Sequence, residues 1–402
     1  MKNPVTSAGT TVTVNFTFMV IYMAAISAFG SFVNDMFVPA MPEMTDAFHC
    51  SIPTMELGLT MGMIGLALGQ LVLGPVSDKY GRKPALLWSL VTFIIAGAAS
   101  VFSTSVEFFL VCRLFQGLGA SGGYFLARTI PTDVYGGRQL ARTMALIGAI
   151  NGVAPAVAPV AGGFMSGLLG WKAVFVTLTL IAVAVLAFVP KMKETLPADR
   201  RIRGSIFSSF RSYRTLMHNR PFMIHVMLKG AALGLLFAYM SSATFILQRH
   251  FGFSEIDFGL IIGFNALIVA GGSMTALKFK LLKKAGYVGA LMLFGAALAE
   301  FVVLFFFSHS FILYELCLIP MVFALGMIFT MGNTLAMNEG KTDAGAASAI
   351  IGIMGYIYGA IVPPVVGSHG VLHSTAITLL AIATITLIFA IFSRRLPADL
   401  GK

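Results

Sequence analysis

Gly74-Pro75-Val76-Ser77-Asp78-Lys79-Tyr80-Gly81-Arg82-Lys83-Pro84 is the stretch on which the reading of this chain turns. It is short, charged and rich in turn-forming residues, and it lies between two long apolar runs. Charge of that density does not recur in the first half until the segment after Pro190. A charged turn between apolar runs long enough to cross a bilayer reads as the cytoplasmic hinge between two membrane helices.

The composition carries the same message. Of the 402 residues, 57% are hydrophobic and 11% charged, and the mean hydropathy is +0.89. Soluble domains carry about 25% charged residues, so the chain reads as a polytopic membrane protein. The net charge of +11 does not indicate nucleic acid, because the bases cluster between apolar runs as juxtamembrane charge does. Cys50, Cys112 and Cys317 are too few and too scattered for a disulfide framework or a thiolate metal site. The apolar run from Phe16 is long, acidic near its end and followed by further runs, so it reads as a span and not a removable leader.

Hydropathy and Gly/Pro breaks place twelve spans near 15–38, 53–76, 84–103, 106–127, 140–163, 172–190, 221–247, 256–277, 287–307, 311–336, 344–366 and 371–392. With the N-terminus inside, Lys79, Arg82, Lys83, Arg138, Arg142, the 191–220 bases, Lys278, Lys280, Lys283, Lys284, Lys341, Arg394 and Arg395 all fall on the inside. Only Lys172 and Arg249 fall outside, while Arg113, Arg128 and Lys229 lie within or at the ends of spans. The positive-inside rule then puts both termini in the cytoplasm. The segment 191–220 reads as a solvated tether near the anionic inner leaflet. It divides the chain into an N-terminal six-helix bundle (1–190) and a C-terminal one (221–402). A faint repeat relates the halves: Glu107 and Arg113 in span four stand where Glu315 and Met321 stand in span ten, each pair followed by a small-residue turn (Gly117, Gly326). Likewise Gly74, Asp78 and Arg82 are echoed by Gly272, Ala276 and Lys280. Two parallel six-span halves are a transporter architecture.

Gly74-x-x-x-Asp78-Lys79-x-Gly81-Arg82-Lys83 resembles the loop between the second and third spans of the major facilitator superfamily. Its glycines allow a tight turn, and Pro84 suits the first turn of the next helix. Three further stretches resemble the drug/proton antiporter branch, closest to the Bcr/CflA group. Asn34-Asp35-Met36-Phe37-Val38-Pro39-Ala40-Met41-Pro42 matches the end of span one, Arg113-Leu114-Phe115-Gln116-Gly117 the span-four arginine motif, and Ala158-Pro159-Val160-Ala161-Gly162-Gly163 the span-five antiporter motif. The last has Ala158 where the commoner form has Gly, but keeps the proline kink and small packing face at Pro159, Gly162 and Gly163.

The resemblance implies an all-α membrane fold of twelve helices in two pseudo-symmetric bundles. It also implies alternating access, with inward proton flow driving export of a small amphipathic drug or toxic compound across a bacterial inner membrane. The expected partners are protons, that organic substrate and the lipid bilayer, with no nucleic acid, no cofactor and a monomeric protein. A dedicated exporter of one metabolite, such as a siderophore or sugar, would share every motif. Gly119-Ala120-Ser121-Gly122 has the local form of an intramembrane protease serine motif, and Gly117-x-Gly119-x-x-Gly122 fits a dinucleotide fingerprint. Both lie inside an apolar helix, where close packing explains small residues better, so no enzymatic activity is expected.

An ionisable side chain within a span is costly and is by default a functional candidate. Asp35 and Arg113 fall at similar depths in one half, which makes Asp35 the principal proton site and Arg113 its electrostatic partner. Glu56, in the first turn of span two, reads equally as a cavity residue and as an acid favoured by the helix dipole. The family uses spans one, four, seven and ten to line the cavity, which makes Lys229, near mid-membrane, a substrate or coupling residue; snorkelling is its rival. Phe29, Phe32, Tyr124 and Tyr239 supply an apolar wall or plain packing. The resemblance implies that Gly74, Asp78, Gly81 and Arg82 form a latch, with Asp78 and Arg82 clasping the cytoplasmic end of span eleven. Glu300, deep in span nine, has no role in this scheme, and a lone imidazole such as His225 is more often simply satisfied.

Overall fold

The computed structural model describes residues 16–201, 210–341, 344–367 and 370–396, and every regular element in them is helical. The spans are α1 (Phe16–Asp35), α3 (Ile52–Tyr80), α4 (Arg82–Val101), α5 (Val106–Val134), α6 (Gly137–Leu169), α7 (Trp171–Phe188), α9 (Arg220–Phe245), α10 (Glu255–Ala276), α11 (Leu282–Phe306), α12 (Phe311–Glu339), α13 (Ala344–Val366) and α14 (Val371–Arg395). Two short helices, α2 (Met41–Ala47) and α8 (Phe210–Met217), lie outside this series. Helices are the expected answer to a bilayer, because they satisfy every backbone polar group within one segment. Among the described residues, eleven helices are long and apolar enough to cross a membrane. The long helix that falls short is α5, which carries Glu107, Arg113, Arg128 and Asp133.

Local chemistry sets the ends. Ser105, Ser310 and Asn219 cap α5, α12 and α9 by accepting from the backbone N–H three residues on. Ser254 and Asp257 form a reciprocal capping box at the start of α10, satisfying amides that the first helical turn leaves open.

The chain divides into two compact units, Met1–Cys50 with Met61–Ser208 and Ser51–Thr60 with Ser209–Lys402. Each buries an apolar core and also exposes large apolar side chains. Trp88, Ile95 and Leu180 are exposed in the first unit, and Leu267, Leu316 and Ile377 in the second, as lipid-facing surfaces require.

The repeat has a packing counterpart in each unit. A Cβ on Gly117 of α5 would lie 2.0 Å from the Gly62 carbonyl oxygen of α3, and one on Gly326 of α12 would lie 1.9 Å from that of Val269 in α10. Van der Waals packing and close backbone approach drive helix association in lipid. The glycines that fit a dinucleotide fingerprint serve the same purpose: Cβ atoms on Gly119 and Gly122 would run into Phe93 and Ser89 of α4.

The 191–220 segment differs from a free tether where it is described. Met192, Thr195 and Leu196 are buried. At its other end Leu216 of α8 packs with Phe222, Val226 and Ile350. Apolar residues at both ends had surface to bury. Residues 202–209 lie outside the described residues.

Candidate functional site

Asp35 ends α1 and is 7% exposed, and Asn34 beside it is also buried. Arg113 lies on α5 about 10 Å from its first residue at roughly 1.5 Å per residue, and it is fully buried. Its Nη2 donates to Asn34 Oδ1 at 3.3 Å and its Nη1 to Gln116 Oε1 at 3.0 Å. It is Asn34, and not Asp35, that takes up this guanidinium nitrogen. The guanidinium also stacks 4.2 Å from the centre of the Phe37 ring, which packs in turn on Phe109 and Phe175.

Removing an ion from water costs several kcal/mol. Hydrogen bonds to a charged group contribute about 1.5–3 kcal/mol each, and a desolvated cation–π contact about 2 kcal/mol. Two such bonds and one ring therefore offset that cost. Asn34 and Gln116 both accept through a neutral amide oxygen.

Small residues make the room. A Cβ on Gly62 of α3 would lie 2.8 Å from both Arg113 Nη2 and Asn34 Oδ1. The antiporter motif approaches from the other side, where a Cβ on Gly162 would lie 1.9 Å from the Met36 carbonyl oxygen. Gly163 is buried beside it, and Ser166 Oγ donates to the Gly162 carbonyl at 2.9 Å. Pro155 and Pro159 both lie inside α6. The span-five motif is thus the surface against which the end of α1 rests.

The quoted stretch around Gly81 differs from a turn-rich loop. Helix α3 continues through Gly74 and Pro75 to Tyr80, so the turn is confined to Gly81. There φ is +107° and a Cβ would lie 2.4 Å from Glu194 Oε2, a conformation and a space that only glycine accepts. Gly74 meets only an ordinary contact, since a Cβ there would lie 3.6 Å from Phe125 Cζ.

Arg82 binds Asp78, donates through Nη1 to Ser77 Oγ at 2.7 Å, and donates through Nε to Asp133 Oδ2 at 2.8 Å. Glu194 Oε1 accepts from the Arg82 N–H at 2.9 Å and Oε2 from that of Lys83 at 3.2 Å, capping α4. Asp133 and Glu194 were not singled out in the sequence. Asp133 stands one residue before the end of α5, and Glu194 is an acid among the linker bases.

The remaining candidates fall into separate groups. In the first unit, Tyr124 packs on Gly30 of α1 and its hydroxyl accepts from Arg128 at 2.8 Å. Phe29 stands edge-on to Phe93 with ring centres 5.1 Å apart, which is packing. In the second unit, Glu56 is fully buried near the start of α3 and accepts from Ser241 Oγ at 2.6 Å. Lys229 is held by Asn333 Oδ1 at 2.8 Å, and His225 bonds Ser393 Oγ at 3.0 Å. Tyr239 is buried and accepts from Asn265 Nδ2 at 2.8 Å. Glu300, also buried, lies within electrostatic reach of Glu315 and Tyr239. Sequence reading left Glu300 without a partner because residues 265, 300 and 315 share no local motif.

Comparison with known proteins agrees with this architecture. The Major Facilitator Superfamily model matches residues 22–363. The MFS-type transporter YdgK of Bacillus subtilis (strain 168) is 31% identical over 373 residues, covering 90% of this chain and 91% of that protein. A chloramphenicol resistance protein of Pseudomonas aeruginosa is 28% identical over 253 residues, 62% of this chain and 58% of that protein. The multidrug resistance protein MdtL of Citrobacter koseri is 26% identical over 344 residues, 84% of each chain. Among solved structures, the xylose transporter XylE from E. coli matches with a TM-score of 0.73 at 13% identity, covering 96% of this chain and 99% of that one. A bacterial homologue of the human lysosomal transporter Spinster matches at 0.76 and 15%, covering 94% and 97%. These last two speak for the fold alone. A family match from residue 22 to residue 363, over helices that pack through glycines in both units, leaves one assignment: the chain belongs to the major facilitator superfamily and is a multi-pass membrane transporter, not an enzyme.

Proposed function

We propose that the chain is a proton-coupled exporter of small amphipathic compounds, working by alternating access in a bacterial cytoplasmic membrane with both termini inside. The observation that carries this reading is the full burial of the Arg113 guanidinium, held on Asn34 one residue from Asp35. Burial and a nearby cation act on a carboxyl in opposite senses, so the entry of water into the site decides whether Asp35 holds its proton. Substrate and proton then compete for one wettable space. The drug-resistance names of two relatives support a drug-like cargo, and chloramphenicol is the natural first probe.

Asp78 and Arg82 serve as the latch in this scheme, with Asp133 and Ser77 setting the side chain of Arg82. Lys229 and Glu56 contribute polar groups to the transport path. The test is chloramphenicol flux in proteoliposomes under an imposed pH gradient. Wild-type protein is expected to move chloramphenicol against the proton flow and Asp35→Asn to lose the gradient dependence. Undiminished gradient-driven flux in Asp35→Asn would refute the assignment.

A further inference from the structure

The second unit contains a buried acidic group that the proposed mechanism does not use. Glu300 of α11 is fully buried, and neither of its carboxylate oxygens has a hydrogen-bond partner among the described residues. Glu315 of α12 lies within electrostatic reach of it, and both Glu315 oxygens are likewise buried without a partner. The Asn265 amide of α10 faces Glu315. Asn265 spends Nδ2 on Tyr239 Oη at 2.8 Å, leaving its buried Oδ1 unused. No Lys or Arg forms an ion pair with either acid among the described residues.

Every orphaned atom in this cluster is therefore an acceptor: four carboxylate oxygens and one amide oxygen. Two buried carboxylates within electrostatic reach of each other resist ionising together without a counter-charge. A buried acceptor without a donor costs about 1–3 kcal/mol, more when charged. One proton answers the charge problem, and a protonated carboxyl adds a donor to a cluster whose orphaned atoms are all acceptors. A hard metal ion is a poorer fit, since such ions gather about six or more oxygens and the cluster offers three oxygen-bearing groups that are free to bind.

We infer that Glu300 and Glu315 form a second proton-binding site, in the C-terminal unit, with Asn265 as the acceptor that orients the bound proton. The other titratable groups facing it are Tyr239 on α9 and Tyr314 and Cys317 on α12. On α14, the His373 ring lies 4.6 Å from that of Phe305, five residues along α11 from Glu300. Asp257 on α10 is engaged in its capping box. Glu300 lies about 9 Å from the end of α11 at roughly 1.5 Å per residue. On the proposed orientation, on which this step rests, that is the outer end, where protons arrive.

The test is infrared spectroscopy of the protonated-carboxyl band across a pH titration, on purified protein in an Asp35→Asn, Glu56→Gln background. We expect a protonated carboxyl to persist at neutral pH. Glu300→Gln should move its loss to lower pH, and Glu300→Gln with Glu315→Gln should abolish it. In otherwise wild-type protein, Asn265→Leu should shift the band to higher frequency, as for an acid that has lost its acceptor; this arm stands if the multiple variants do not fold. Absence of the band, its insensitivity to both Glu substitutions, or an unmoved band in Asn265→Leu would overturn the inference. So would displacement of the band by sodium chloride but not choline chloride, which would make the site a metal-cation site. The titration involves no transport, so a failure of gradient-driven efflux would sink the proposed function and leave this result to be judged separately.

Discussion

Arg113 Nη2 lies 3.3 Å from Asn34 Oδ1, so the buried cation of α5 is held by the neighbour of Asp35 and not by Asp35 itself. This arrangement keeps the charge fixed while leaving the carboxyl free to change state. Asn34 is then the residue that separates stability from coupling. Asn34→Ala removes a hydrogen bond to a buried charge and is expected to cost about 1.5–3 kcal/mol of stability. Asn34→Asp supplies a permanent counter-ion and should hold or raise thermal stability while gradient-driven chloramphenicol flux falls. Thermal unfolding in detergent and proteoliposome flux on the same preparations check this. An Asn34→Asp protein that transports like wild type would show that the Arg113 charge plays no part in coupling.

Two glycines on α3 provide a matched pair. A methyl group at residue 62 would press on Arg113 Nη2 and Asn34 Oδ1 at 2.8 Å each, whereas one at residue 74 would meet Phe125 at 3.6 Å. Overpacking a well-filled interior costs about 1–3 kcal/mol, while replacing a helical glycine by alanine gains about 0.5–1 kcal/mol. Gly62→Ala should lower the unfolding temperature and transport together, and Gly74→Ala should leave the unfolding temperature unchanged or raised. Equal behaviour of the two variants would contradict the packing argument.

The spans were legible in the sequence because lipid imposes long apolar helices, but several ends were not: the fourth and fifth spans, expected to end near 127 and 163, run on to Val134 and Leu169. The expected span near 311–336 is α12, Phe311–Glu339, and Ser310 caps it. The turn at Gly81 was legible, but its extent was not: Gly74 and Pro75 read as turn formers, yet the apolar face of α3 carries the helix through them to Tyr80. Partners at long separation were invisible. Nothing local joins Arg82 to Asp133 or Tyr239 to Asn265. Asn34 and Asp35 sit side by side in the chain, and only packing decides which one meets Arg113.

Arg82 makes three side-chain contacts in a fixed fork, with Asp78, Ser77 and Asp133. A lysine carries the same charge but lacks that geometry. Arg82→Lys is therefore expected to lose most of the effect of Arg82, with transport close to that of Arg82→Ala. The Arg82–Asp133 pair is largely shielded, with side chains 6% and 16% exposed, so raising salt should not reproduce the defect. Flux at low and high ionic strength tests the point; full activity in Arg82→Lys would show that charge alone suffices.

Glu194 closes the turn by accepting from the backbone N–H groups of Arg82 and Lys83. Losing a cap costs about 1 kcal/mol, whereas its partly exposed ion pair with Arg201 at 3.8 Å contributes about 0–1 kcal/mol. Glu194→Gln keeps an acceptor for the amides and removes the charge, so it should be milder than Glu194→Ala. Arg201→Ala should be milder still. The ranking is read from unfolding temperatures, and it distinguishes a capping role from a purely ionic one. If Arg201→Ala matched Glu194→Ala, the start of the linker would be held by charge, and the case that Glu194 fixes the turn at Gly81 would fail.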